Sequence, residues 1–189
     1  MIFPAMDVIR QELNAGGVVA ELGNISELAS PAGNITGSDA DIIISLVNIE
    51  ENRVSRNPQG YLKSGTDLYL KNPAVHLYLT LLFTSAKNEA GYEKAILHVQ
   101  EVVQFFQTKY VFDHLNTPSL AVYPGIDKLI LDMVTLSLEQ LNNLWSVLGG
   151  KYQPSVLYRM RMVTIDSIPG DKGSVVKEID TIYDNPFQQ

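Results

Sequence analysis

Residues 41–49 read Asp-Ile-Ile-Ile-Ser-Leu-Val-Asn-Ile, and few folds can house them. On a strand, Ile42, Ile44 and Leu46 alternate to one side and Ile43, Val47 and Ile49 to the other, so both faces are apolar. Such a strand needs cover on both sides, which predicts a place in the middle of a sheet with packing above and below it. A second strand follows at residues 75–84, where Val75, Leu77, Leu79, Leu81 and Phe83 alternate with a mixed set of His76, Tyr78, Thr80 and Thr84. Residues 126–136 and 156–165 supply a third and a fourth, and a short strand can be placed between Gly17 and Ile25.

Three helices are expected around these strands. Phe3, Met6, Ile9 and Leu13 form one stripe ended by Gly16-Gly17, with Pro4 tolerated in the first turn. Tyr92, Ile96, Val99, Val103 and Phe106 form a second, with Glu93, Gln100 and Gln104 outside it. Ser137 and Gln140 make a capping box ahead of Leu138, Leu141, Trp145 and Leu148, and Gly149-Gly150 stop that helix. Between residues 50 and 73 the text turns polar, yet Tyr61-Leu62 and Leu68-Tyr69-Leu70 flank Ser64-Gly65-Thr66, which predicts a protruding loop or hairpin arm. The order of elements implies an α+β domain over residues 1–168, with a mixed or antiparallel sheet. Residues 169–189 form a polar tail with scattered apolar side chains, a segment that a partner could order.

With 189 residues, 46% of them hydrophobic, the chain can bury one substantial core. A formal charge of −7 and no basic stretch argue against nucleic acid. The absence of cysteine leaves no disulfide, thiolate metal site or Cys nucleophile. The amino-terminal residues lack the basic and apolar regions of a signal peptide, and no apolar run reaches the length of a membrane span, so a soluble protein made in the cytoplasm is expected, with no membrane insertion.

Residues with chemical potential form no constellation. His76, His98 and His114 fall on a strand, a helix and a loop without the spacing of a metal site. No nucleophile elbow and no phosphate-binding glycine loop occurs, and the glycines suit turns and helix stops. Glu50 and Glu51 precede Arg53 and Arg56, which could suggest an acid pair beside cations. Adjacent strand residues point to opposite sides, however, and a solvated or interfacial charge set is the better reading. Arg159 and Arg161 share one face of the last strand, and Asp132 could face them if the strands at 126–136 and 156–165 pair. They would then form either a structural salt bridge or a polar subunit contact. Trp145 lies on an apolar stripe and fits the core. No catalytic, metal or cofactor-binding residue is predicted, and no cofactor.

Several blocks carry a resemblance. Ile43-Ile44-Ser45-Leu46-Val47-Asn48-Ile49-Glu50-Glu51, Lys71-Asn72-Pro73, Phe105-Phe106-Gln107 and above all Ser137-Leu138-Glu139-Gln140-Leu141-Asn142-Asn143-Leu144-Trp145 occur in this order. Gly150-Lys151-Tyr152-Gln153-Pro154-Ser155-Val156-Leu157-Tyr158 and Arg161-Met162-Val163 continue it. Together they resemble the N-terminal domain of the tail terminator, or cap, proteins of phage-tail-like contractile injection systems, from the first helix to about Ile165. The resemblance implies a structural protein and no enzyme: a homohexameric ring on the distal end of the inner tube, touching the outermost sheath subunits, in a particle assembled in the cytoplasm.

A closed ring needs two different patches on each subunit. The expected candidates are the arm with Arg53, Arg56, Tyr61, Leu62, Tyr69 and Leu70, and the tail with Val175, Val176, Ile179, Ile182, Tyr183 and Phe187. The tail could add to a neighbour's sheet edge or to a sheath subunit. Two rivals stand beside this reading. One is a related terminator of a phage tail or cell-anchored particle; the other is a small ligand-binding or hydrolase domain with a pocket near Glu50 and Arg53.

Overall fold

The computed structural model describes residues 1–28, 40–52, 60–64, 67–71, 76–85, 91–149 and 152–164. They form two compact units, one drawn from residues 1–56 and 75–165 and the other containing a hairpin. In the first unit the strands β1 (Ala20–Leu22), β2 (Ile42–Glu51), β5 (Leu77–Ser85), β6 (Val111–Asp113), β7 (Ile126–Val134) and β8 (Ser155–Thr164) make one sheet. Its order is β1-β2-β5-β8-β7-β6. The first pair is parallel and every other neighbour is antiparallel, which makes this a mixed sheet in an α+β fold. In the second unit β3 (Gly60–Ser64) and β4 (Asp67–Lys71) pair antiparallel, as the strand ends around Ser64-Gly65-Thr66 predict.

The expectation for residues 41–49 needs correction in one respect. β2 is an interior strand, but it lies second from the edge, and β5 and β8 hold the middle. The apolar pattern demands cover on both faces of Ile42, Ile43 and Ile44, and all three are buried. It does not fix lateral position. Farther along, Leu46 and Ile49 are exposed, so the cover does not extend over the whole strand.

Helices α1 (Ile2–Ala15) and α3 (Tyr92–Thr108) lie on one face. Ala5, Val8, Ile9 and Leu13 from α1 and Val102 and Phe106 from α3 join Ile42, Ile44, Leu79, Leu81, Phe83, Tyr158 and Met160 in the main core. Gly17 ends α1 with φ near +92°, a left-handed conformation that costs glycine little. The Asn14 side chain then clamps β1, accepting from the Ala20 N–H at 2.7 Å and donating to the Ala20 carbonyl at 3.2 Å. Phe3, Tyr92 and Ile96 are exposed; α3 buries Ala95, Val102 and Phe106, so its buried stripe is rotated away from the expected Ile96 and Val103.

The opposite face is covered by α4 (Leu138–Val147). Its capping box forms as expected, with Gln140 N–H donating to Ser137 Oγ and Ser137 N–H donating to Gln140 Oε1. Trp145 is buried with Ile25, Leu82 and Leu157, and Leu141, Leu144 and Leu148 pack around them. Leu138 is 87% exposed and so lies off that stripe. A four-residue turn of helix, α2 (Ile25–Leu28), supplies the isoleucine.

Candidate functional site

The register makes the second sheet face legible row by row. Under α4, the row Ser45, Leu82, Leu157 and Val134 is mostly apolar. One row farther along come Asn48, Thr80, Arg159 and Asp132, and beyond them Glu50, Tyr78, Arg161 and Ile130. Lys128 follows on β7, opposite Val163. A β-bulge between Leu46 and Asn48 sets this boundary: the extra residue turns Asn48 and Glu50 onto the same face as Arg159. Half of the face is therefore a floor for α4, and the other half is a polar field.

Within the field, Arg159 reaches across β5 to Glu50 at 3.7 Å, and its guanidinium carbon lies 5.3 Å from the centre of the Tyr78 ring. Asn48 Nδ2 donates to the other Glu50 carboxylate oxygen at 2.9 Å. Because Arg159 and Glu50 are nearly half exposed, their pairing is worth about 1 kcal/mol at most. Arg161 differs. Its Nε is buried with no hydrogen-bond partner among the described residues, and a buried donor left unmade is costly. Asp132 sits directly opposite Arg159 in the register, so the expected pairing of these two strands is found, while the ion pair itself forms with Glu50.

Glu50 and Glu51 lie opposite Tyr78 and Leu77 respectively and so fall on opposite faces. They are not assembled as an acid pair. Arg53, Arg56 and every candidate from Val175 to Phe187 lie outside the described residues. In the hairpin, Tyr61 stands opposite Leu70 and Leu62 opposite Tyr69.

His98 Nε2 stands 3.7 Å from Asp41, His76 precedes β5, and His114 is in an exposed turn. Among the described residues no group of three or more His, Asp and Glu could hold a metal ion, and no helix is long and apolar enough to cross a membrane. Two open hollows lie elsewhere, one beside Gly17 and Phe105 and a smaller apolar one between Met1 and Val122. The first is also lined by Glu101, Gln104 and Thr108. Sequence reading found Arg159, Arg161 and Asp132 but missed Asn48, Tyr78 and Lys128 as their neighbours. Alternation in β5 and β7 carried that signal, but the strand order was needed to use it.

An α+β sheet with one covered and one half-open polar face suits a protein that works through surfaces. The model of the Pvc16 N-terminal domain family matches residues 6–178, and the chain belongs to that family. Two solved structures share the fold. The anti-feeding prophage cap, an AFP tube terminating cap, aligns with 94% of this chain at a TM-score of 0.64 and 18% identity. The PVC sheath/tube terminator of an extracellular contractile injection system, in its extended state, aligns with 98% at 0.60 and 17%. The chain spans 59% and 64% of the lengths of those two proteins. No curated protein matches it in sequence.

Proposed function

We propose that this chain is a structural cap of a contractile injection system, assembling as a hexameric ring that terminates the inner tube and contacts the distal sheath. The family match across residues 6–178 carries this reading. Two features of the chain support it. Its described polar residues spread over an exposed sheet face where a partner can land, and two strands pair as a hairpin in the region proposed as an arm. The net charge of −7 disfavours nucleic acid as the ligand.

The proposed contacts are the hairpin region, with Arg53, Arg56, Tyr61, Leu62, Tyr69 and Leu70, and the tail, with Val175, Val176, Ile179, Ile182, Tyr183 and Phe187. The hairpin region and the acidic tail are different segments, as a closing heterologous ring requires. The chain is made and assembled in the cytoplasm and then becomes part of the particle. Purified protein mixed with tube and sheath subunits tests this directly. Negative-stain images should show rings on tubes of uniform length, and tubes that grow without limit in its presence would remove the proposal.

A further inference from the structure

We infer that the polar half of the second sheet face receives the acidic carboxyl-terminal segment, residues 166–189, of a neighbouring copy of this chain. The inference rests on the ring reading and names what one of its contacts joins.

Arg159, Arg161 and Lys128 gather three positive charges on that half-face, against Glu50 and Asp132. These five groups sum to +1 on a chain that carries −7 as a whole, so the half-face is positive where the protein is acidic. Two copies approaching at random repel each other, and a basic field selects where an acidic segment can land. Arg161 has a buried Nε without a hydrogen-bond partner among the described residues, and an arriving carboxylate can accept from the half-buried guanidinium. Among the described residues Arg159 stands over the Tyr78 ring and makes a solvent-exposed pair with Glu50, and a better-desolvated carboxylate can displace that pair at small cost.

Residues 166–189 have the complementary charge. Asp166, Asp171, Glu178, Asp180 and Asp184 stand against Lys172 and Lys177, five acids to two lysines, a net −3. The apolar residues among them have a match too, since the field adjoins half-buried Ile130 and Tyr78 and the apolar row under α4. Strand-edge addition is not required by this contact; the occupant lies across the face.

The protein contains no cysteine, so single cysteines report the contact without background. Full-length chains carrying Ile130→Cys on the face and Thr181→Cys in the tail are mixed and oxidised, with Leu115→Cys, 96% exposed in a turn, as the collision control. The expected result is a disulfide-linked heterodimer well above that control. It is lost when the Ile130→Cys chain also carries Arg159→Glu and Arg161→Glu, and regained when the tail chain carries Glu178→Lys and Asp180→Lys. That rescue separates lost contact from lost folding. A yield equal to the control, or one indifferent to charge reversal, overturns the inference. So does a doubly substituted chain that closes only on itself, which would place the tail on its own sheet. The readout needs neither tube nor sheath: a heterodimer without tube capping would defeat the cap reading alone, and capping without the heterodimer would defeat this contact alone.

Discussion

Phe106 is the residue on which α3 and the sheet meet in the main core. Its ring lies 4.6 Å from that of Tyr158, 5.3 Å from Phe83 and 5.3 Å from Phe105, mostly in edge-on or tilted geometry. Such pairs add to simple burial because a ring edge meets the electron-rich face of its neighbour. Phe106→Ala should cost about 3–5 kcal/mol, read as a lower urea midpoint at unchanged slope. Gly16 is held by sterics and not by backbone angle: a Cβ there would stand 2.7 Å from the Phe105 ring. Gly16→Ala should therefore destabilise by about 1–3 kcal/mol, through displacement of that ring.

Burial pushes the Tyr158 hydroxyl above its ordinary value of about 10. The folded chain then keeps this proton at a pH where the unfolded chain has released it. Stability linked to the group is fully present below about pH 10 and is lost as pH rises through the folded value. Tyr158→Phe should flatten the alkaline decline in urea midpoint between about pH 9 and pH 11 while leaving neutral stability within about 1 kcal/mol, and an unchanged decline would assign it to other groups.

At the scale of elements, caps and clamps hold pieces that packing alone would leave frayed. Ser137→Ala removes the acceptor for the Gln140 N–H and should cost about 1 kcal/mol, measurable by denaturation. Lys109, at the end of α3, donates to Glu12 of α1 at 2.6 Å and to the Asn116 carbonyl at 2.8 Å. A double-mutant cycle on Lys109 and Glu12 should give a coupling of about 1 kcal/mol that persists in high salt, because both groups are mostly shielded from water.

Elements of this kind were legible in the sequence. The capping box needs only Ser137 and Gln140 at the right spacing, and the helical stripes need only their own periodicity. Sheet order was not legible, because β2 placed in the centre and β2 placed second from the edge bury Ile42, Ile43 and Ile44 alike. The bulge at Leu46/Asn48 was also hidden, since it decides which partner faces Glu50 and leaves no mark in a strict alternation of apolar residues. For the same reason the polar field appeared only as a pair of arginines and one aspartate. Leu138 and Ile96 are exposed because each lies off the buried stripe of its helix, a rotation that the apolar pattern alone does not fix.

At the scale of the whole molecule, the six-stranded sheet is held together by a strand far along the chain. β8 runs between β5 and β7, and its register with both continues from Leu157 to Met162. Until the ribosome has passed residue 164, the nascent chain has two half-sheets, β1-β2-β5 and β6-β7, each with a long unpaired edge. The middle is filled last. Pairings this distant in sequence slow folding and leave sticky edges exposed while the chain waits. A chain stopped before Ser155 should thus be recovered in inclusion bodies or bound to chaperones, and never as a smaller soluble module; a monodisperse soluble fragment would show that the half-sheets stand alone. Quality control is built into that order of synthesis: an incomplete chain has no finished sheet face.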